Sequence, residues 1–266
     1  QHFNSKEDVE FTTYFSESTL ARTHYIVKVD NNNMDVDVAA IENNLIEAAR
    51  SWEDKLSTAL NSALGEEAGT HLTKRYFNAF EQSYKEDVLP SSAVVDMQQL
   101  EALDDEHKLG MLFYQPQEAA LNDNKVRLKL FHKDEPIHLS DVLPMLENFG
   151  LRVINERPYE VTTSDGSTFW ILDFLMTVKV VNTDNIADSQ DRFQTALSQV
   201  WQKKLEDDGF NRIILASGLT GREVSVLRAY AKYMRQIDAT FSQSYIEETF
   251  GRYPQIADLL VKMFIR

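Results

Sequence analysis

Histidine and carboxylate side chains could give this sequence a catalytic or metal site, but their spacing argues against one. No two histidines stand four residues apart and no H-E-x-x-H motif occurs among the six, which are residues 2, 24, 71, 107, 132 and 138. His132 and His138 flank a polar loop, where a metal would need carboxylates from elsewhere. Neighbouring carboxylates such as Asp207 and Asp208 diverge by about 100° on a helix and cannot converge on one substrate. We predict neither catalytic residues nor metal ligands in this chain.

Glycine and cysteine usage argues equally against a cofactor site. None of the nine glycines stands two residues from another, so the G-x-G-x-x-G fingerprint of a dinucleotide-binding fold cannot occur, and the P-loop pattern is also missing. Without cysteine, the sequence can form no disulfide, zinc–thiolate site or thiol nucleophile. We therefore predict no cofactor bound by this chain and a location in the reducing cytoplasm.

Length and charge limit the partners further. A chain of 266 residues suggests about two domains. Its formal charge of −15 repels phosphate backbones and anionic lipid, so we expect neither nucleic acid nor a membrane as partner. The sequence starts at Gln1 and finishes within an amphipathic run, residues 256–266. We interpret it as an excised segment of a much longer chain, the alternative being a trimmed small protein.

Hydrophobic periodicity predicts an α+β fold, with small antiparallel sheets that carry helices on one face, together with helical modules. Up to residue 108 the periodicity indicates a hairpin of strands 9–17 and 20–29 that turns at Ser18-Thr19. One long helix then runs from Asp35 or Asp37 to about residue 64, where Gly65 ends it. A helix at 66–84 and another from Pro90 follow. The next part indicates strands at 111–115 and 126–131, a helix at 139–149 and a hairpin of strands 151–163 and 168–178. Because Pro144 is costly deep inside a helix, we expect that helix to begin near Asp141, and Gly150 to close it.

Residues after 185 are predicted to be helical throughout. Thr220 and Glu223 have the spacing of a capping box that opens a helix. On that helix Arg228 and Arg235 lie seven residues apart and share one face, whereas Arg222 points elsewhere. Two interpretations stay open for this pair of arginines. They pair with acidic helices of the same chain, or they dock another domain or subunit, since arginine is enriched at interfaces.

Four stretches of the sequence carry a family resemblance: Ser51–Asp54, Tyr84–Asp87, Leu139–Tyr159 and Gly218–Gln236. Together they resemble the amino-terminal half of the large bacterial NAD-specific glutamate dehydrogenases, from about residue 20 to the end. The resemblance implies ACT-like regulatory domains and helical modules in this chain. It places the catalytic and NAD-binding domains later in the parent polypeptide.

By this resemblance, the domains are a partial ACT-like hairpin with a helical extension (1–108), an ACT-like domain (109–184) and a helical module (185–266). The implied partners are the catalytic half of the same polypeptide, further copies of it in a homo-oligomer, and an amino-acid effector. ACT domains often bind amino acids at the loop that here contains Asp134, Ile137 and His138. In such a loop a glycine lets backbone N–H groups approach the carboxylate of the amino acid, but here Ile137 takes that position and Asp134 would repel the carboxylate. The alternative is that the ACT-like unit packs against a neighbouring domain.

Two functions follow as expectations. The first is a non-catalytic regulatory and oligomerisation segment of an enzyme that converts glutamate to 2-oxoglutarate and ammonia with NAD. The alternative is a stand-alone acidic module, without enzymatic activity, that binds proteins or senses a small molecule.

Overall fold

The computed structural model describes residues 10–14, 22–26, 37–116, 124–178 and 186–265. Two compact units divide the chain, residues 1–54 and residues 55–266. In the first, strands β1 (Glu10–Tyr14) and β2 (Arg22–Ile26) pair antiparallel, which confirms the predicted hairpin strands. The turn at Ser18-Thr19 lies outside the described residues.

Helix α1 (Val38–Ala49) begins where the side chain of Asp37 accepts a hydrogen bond from the backbone N–H of Ala40, at 2.9 Å. The prediction of one helix continuing to residue 64 is wrong. Arg50 is extended, with φ −64° and ψ 135°, and α2 (Trp52–Leu64) begins anew after Ser51. The Ser51 hydroxyl accepts the N–H of Asp54 at 3.1 Å, and the Asp54 carboxylate accepts the N–H of Ser51 at 3.3 Å. This reciprocal cap starts a second helix although the apolar stripe continues.

Three shorter helices follow in the second unit: α3 (Glu66–Arg75), α4 (Gln82–Asp87) and α5 (Pro90–Glu101). The prediction of a single helix over 66–84 is also wrong. The chain turns at Asn78, which has a φ of +55°, and Phe80 then forms an antiparallel bridge with Val161 of a distant strand. A tertiary strand contact therefore replaces the helical turns that local periodicity favours.

A four-stranded antiparallel sheet forms the centre of the second unit. Its strands are β3 (Leu109–Tyr114), β4 (Lys125–Lys133), β5 (Leu151–Thr162) and β6 (Thr168–Val178), in the order β3-β4-β6-β5. Gly166 supplies the left-handed residue of the tight β5–β6 turn, with a φ of +85°. The strands and the hairpin predicted from the sequence are confirmed.

Helices α6 (Leu139–Asn148) and α7 (Ile186–Trp201) pack on one face of this sheet, which confirms the predicted α+β class. In addition, α5 covers part of the opposite face, where Lys129 of β4 reaches Asp96. The expected start of α6 near Asp141 is wrong, because the helix begins at Leu139 with Pro144 inside it. The burial of Val142 and Leu146 offsets the loss of the backbone hydrogen bond that Pro144 cannot donate.

The remaining elements are a 3₁₀ turn (Gly209–Asn211) and helices α8 (Arg212–Ser217), α9 (Gly221–Gln236), α10 (Gln243–Arg252) and α11 (Pro254–Ile265). The capping box of α9 is confirmed. Thr220 Oγ1 accepts the N–H of Glu223 at 3.3 Å, and Glu223 Oε2 accepts the N–H of Thr220 at 2.8 Å. Buried residues of these helices belong to the same hydrophobic core as those of the sheet, so the sheet and the carboxyl-terminal helices share one apolar interior.

Replacing Gly150 with valine is expected to lower the free energy of unfolding by about 1–2 kcal/mol. Gly150 ends α6 with a φ of +79°, which a β-branched residue adopts only under strain, and an added Cβ would lie 3.2 Å from Cβ of Arg212. Chemical denaturation of the 266-residue chain measures the change. Gly150→Asn is the control, because asparagine tolerates the left-handed region better and should cost less. Equal midpoints for wild type and Gly150→Val would contradict the left-handed cap.

Candidate functional site

The loop between β4 and α6 holds three of the predicted site residues. Asp134 has a φ of +72°, its N–H donates to the carbonyl of Thr168 at 2.9 Å, and its carboxylate lies 3.2 Å from Nζ of Lys108. Ile137 is buried in the core, and His138 is exposed just before α6. These contacts brace the loop against neighbouring strands, and an effector site at this loop stays a prediction.

A network of buried charges lies on the sheet face that α5 covers. Nζ of Lys129 is 2.6 Å from Oδ2 of Asp96, and both side chains are almost fully buried, at 4% and 1% exposure. The hydroxyl of Tyr84 donates to the same Asp96 oxygen at 2.6 Å. Burial is the main cause that raises the pKa of Tyr84 well above its usual value, and the charge of Asp96 adds to it. The network therefore fixes α4 and α5 to β4 through one carboxylate.

Asp173 of β6 extends this network, since it stands opposite Lys129 in the strand register. Its Oδ2 lies 3.1 Å from Nη1 of Arg127, whereas its buried Oδ1 has no hydrogen-bond partner. Burial raises the pKa of Asp173, although the charges of Lys129 and Arg127 act to lower it. The sequence gives no local signal for this network, because β4 reads KVRLKLFHK and Lys129 is one of several basic residues that alternate with its apolar ones.

The two arginines predicted to share a face of α9 have different surroundings. Arg228 is buried at 3% exposure, and its Nε and Nη2 bond both carboxylate oxygens of Asp208 at 2.6 and 2.7 Å. Nη2 also donates to Asn211 at 3.0 Å, and the guanidinium lies 5.7 Å from the ring centroid of Phe210. Arg235 is exposed and donates to Gln243 at 3.4 Å. The geometry at Arg228 favours the intramolecular interpretation, and an interface role for Arg235 stays a prediction.

Neither a cluster of metal-binding side chains nor a membrane-spanning helix occurs in the described part of the chain. Within it, no three histidine, aspartate or glutamate side chains gather where they could hold a metal ion. None of the helices in the described ranges is both long and apolar enough to cross a membrane.

Helices α9, α10 and α11 enclose an apolar groove of about 530 Å³. Aromatic side chains line it, and the ring of Tyr230 on α9 meets that of Phe264 on α11 edge-on at 6.0 Å. Helix α11 is apolar on two sides: Ala257 and Val261 are buried, whereas Leu259 and Met263 are exposed. Exposed apolar surface of this kind typically marks a contact with another protein surface.

Four family models match consecutive parts of the chain. Their descriptions are glutamate dehydrogenase ACT2 domain (residues 1–53), helical motif 2 (59–103), ACT3 domain (108–189) and helical motif 3 (205–266). The β3–β6 sheet with α6 thus falls within the ACT3 match, and α9–α11 fall within helical motif 3.

Similar curated proteins carry the name NAD-specific glutamate dehydrogenase. The chain is 41% identical to that of Halomonas elongata over 256 residues and 40% identical to that of Pseudomonas aeruginosa over 258 residues. It is 33% identical to that of Mycobacterium tuberculosis over 276 residues. These alignments cover 96 to 97% of the chain but only 16% of each relative. The chain therefore spans about one sixth of the length of the relatives it matches.

Proposed function

Because the chain belongs to the glutamate dehydrogenase family that these four domain models describe, we propose that it is a regulatory and oligomerisation segment without catalytic activity of its own. The parent enzyme would convert glutamate to 2-oxoglutarate and ammonia with NAD bound outside this segment. One observation carries the proposal: the relatives match 96% of the chain or more, yet 84% of their length lies outside it. The glycine fingerprint missing from the chain would belong to that remaining length.

We further propose three domains, namely a partial ACT-like hairpin with a helical extension (1–108), an ACT-like domain (109–184) and a helical module (185–266). The ACT3 match at 108–189 and the helical motif 3 match at 205–266 support the second and third domains. We also propose that the parent polypeptide forms a homo-oligomer and responds to an amino-acid effector. The absence of cysteine in the chain supports a location in the cytoplasm.

The groove between α9, α10 and α11 is the surface through which we propose that the chain contacts the rest of its parent. The segment that occupies the groove is another part of the same polypeptide. Leu260 and Met263 line this groove and expose 42% and 74% of their surface. Covering such side chains stabilises a complex by roughly 25 cal/mol for each Å² of apolar surface removed from water. A polypeptide about six times the length of the chain provides ample surface to cover it.

Hydrogen exchange tests this contact. Amides of α11 are expected to exchange more slowly in the full-length parent than in the isolated 266-residue chain, because a covered helix opens less often. Helix α5, whose buried residues already pack within the chain, is the internal control and should exchange alike in both. Equal exchange of α11 in the two proteins would contradict the docking proposal and favour a stand-alone module.

A further inference from the structure

In the described part of the chain, the wall of the groove between α9, α10 and α11 carries no charged side chain. All its residues are apolar or aromatic except Thr249, whose hydroxyl already donates to the carbonyl of Tyr245 at 2.7 Å. A small-molecule site normally adds a few placed polar groups that orient the ligand. Because this wall is almost entirely apolar, it suits the apolar side chains of a protein segment better than a polar small molecule.

The lining residues of the groove have the spacing of helix ridges. On α9, Val226, Tyr230 and Met234 stand four residues apart. On α11, Leu260 and Phe264 have the same spacing. Side chains in such rows form ridges, and the ridge of another helix fits the groove between two of them. A docked β-strand would need a free backbone edge, which α9, α10 and α11 do not offer because their backbones are hydrogen-bonded within each helix.

Large side chains of this wall remain exposed in the chain. Tyr230, Phe264 and Met263 expose 53%, 56% and 74% of their surface. The edge-on contact of Tyr230 with Phe264 at 6.0 Å joins α9 to α11 at this position. Aromatic residues are typical of the positions that contribute most to binding in protein interfaces, and methionine adapts its shape to the partner. The wall is therefore suited to bury the apolar face of a partner helix.

The remainder of the parent polypeptide is a better source of that helix than a second copy of this chain. In a twofold contact each groove would face the same groove, and two concave surfaces cannot fill one another. The relatives have 84% of their length outside the matched segment. A segment on the same polypeptide also has a high effective concentration at the groove, so a contact of modest area is sufficient.

We propose that the groove binds the apolar face of one amphipathic helix from the part of the parent polypeptide outside these 266 residues. This inference rests on the proposed function, because it specifies the kind of segment that covers α11. The docked helix places apolar side chains, spaced three or four residues apart, between the ridges of α9 and α11, and its charged residues face water. Since the wall offers no charge, the contact contains no ion pair within the groove.

Photo-cross-linking in the full-length parent tests this inference. A benzophenone amino acid replaces Tyr230 or Met263, which line the groove, or Ile265, which does not line it and is the control. The two groove probes are expected to link to one segment outside the 266 residues, on the same polypeptide, at residues three or four apart. Links at every second residue, links to a second polypeptide or no links at all would overturn the proposal, as would the same links from Ile265.

Charged variants of α11 test the apolar character of the contact. Met263→Asp in the parent is expected to speed amide exchange of α11 by at least about tenfold, because a carboxylate in the groove opposes docking. The isolated chain should keep its melting temperature, since this side chain is exposed. Ile265→Asp is the matched control, because Ile265 is 62% exposed but points about 200° away from Met263. Equal exchange of α11 in these two variants would contradict docking in the groove.

Salt separates the failure of this inference from the failure of the proposed function. At about 1 M sodium chloride the screening length falls to about 3 Å, so a contact that depends on ion pairs weakens. The slow exchange of α11 in the parent is expected to stay within about twofold of its low-salt rate. Loss of protection at high salt would overturn the apolar docking and leave the proposed function intact. Equal exchange of α11 in the wild-type parent and the isolated chain would contradict both.

Discussion

Replacing Lys129 with methionine is expected to lower the free energy of unfolding of the 266-residue chain by about 3–5 kcal/mol. The substitution keeps most of the side-chain volume but leaves the Asp96 carboxylate buried without its cation, which lies 2.6 Å away in the wild type. The remaining hydrogen bond from Tyr84 cannot compensate a buried negative charge. Chemical denaturation followed by circular dichroism measures the loss.

Lys133→Met on the same strand is the matched control. Lys133 also pairs with a carboxylate at 2.6 Å, but its partner Asp105 is 86% exposed. Water screens such a pair, so its removal should cost at most about 1 kcal/mol. The double variant Lys129→Met with Asp96→Leu should recover much of the stability, because an apolar pair can replace a buried ion pair. Equal stability of the two single variants would show that the buried pair does not hold α5 to the sheet.

Replacing Arg228 with alanine is expected to cost about 3 kcal/mol. The change removes two short hydrogen bonds to Asp208 and one to Asn211, and it leaves the fully buried Asn211 amide oxygen without that donor. The packing of the guanidinium on Phe210 is lost as well.

Arg235→Ala, seven residues further along α9, is the control for Arg228. Its side chain is exposed and makes one long hydrogen bond, so the expected cost is below about 0.5 kcal/mol. Thermal unfolding of the isolated chain and sizing of the full-length parent separate the two interpretations of these arginines. If Arg228→Ala leaves the chain stable but loosens the parent oligomer, the intramolecular interpretation is contradicted.

Local signals in the sequence predicted the elements that local chemistry determines. The capping box at Thr220, the left-handed Gly150 and the β5–β6 turn at Gly166 each depend on residues within four positions of one another. The apolar alternation of the strands likewise identified the sheet. Family resemblance added the ACT-like and helical domains, which the four domain matches confirm.

Features that depend on distant residues could not be predicted in this way. The bridge between Phe80 and Val161 ended a helix that periodicity extended to residue 84. Lys129 and Asp96 meet only because α5 packs on the sheet, and their separation of 33 residues carries no local signal. Gly150, Gly209 and Gly251 are similarly scattered along the chain, so their shared neighbour, the side chain of Arg212, becomes visible only in three dimensions.

We propose that this chain contributes no catalytic chemistry to its parent polypeptide. Glutamate-dependent reduction of NAD, followed by the absorbance of NADH, tests it most directly when the isolated 266-residue chain and the full-length parent are assayed side by side. We expect turnover by the parent and only the rate of a heat-treated control for the isolated chain, since the sequence contains no G-x-G-x-x-G loop to hold the dinucleotide. Turnover by the isolated chain clearly above that control would contradict it.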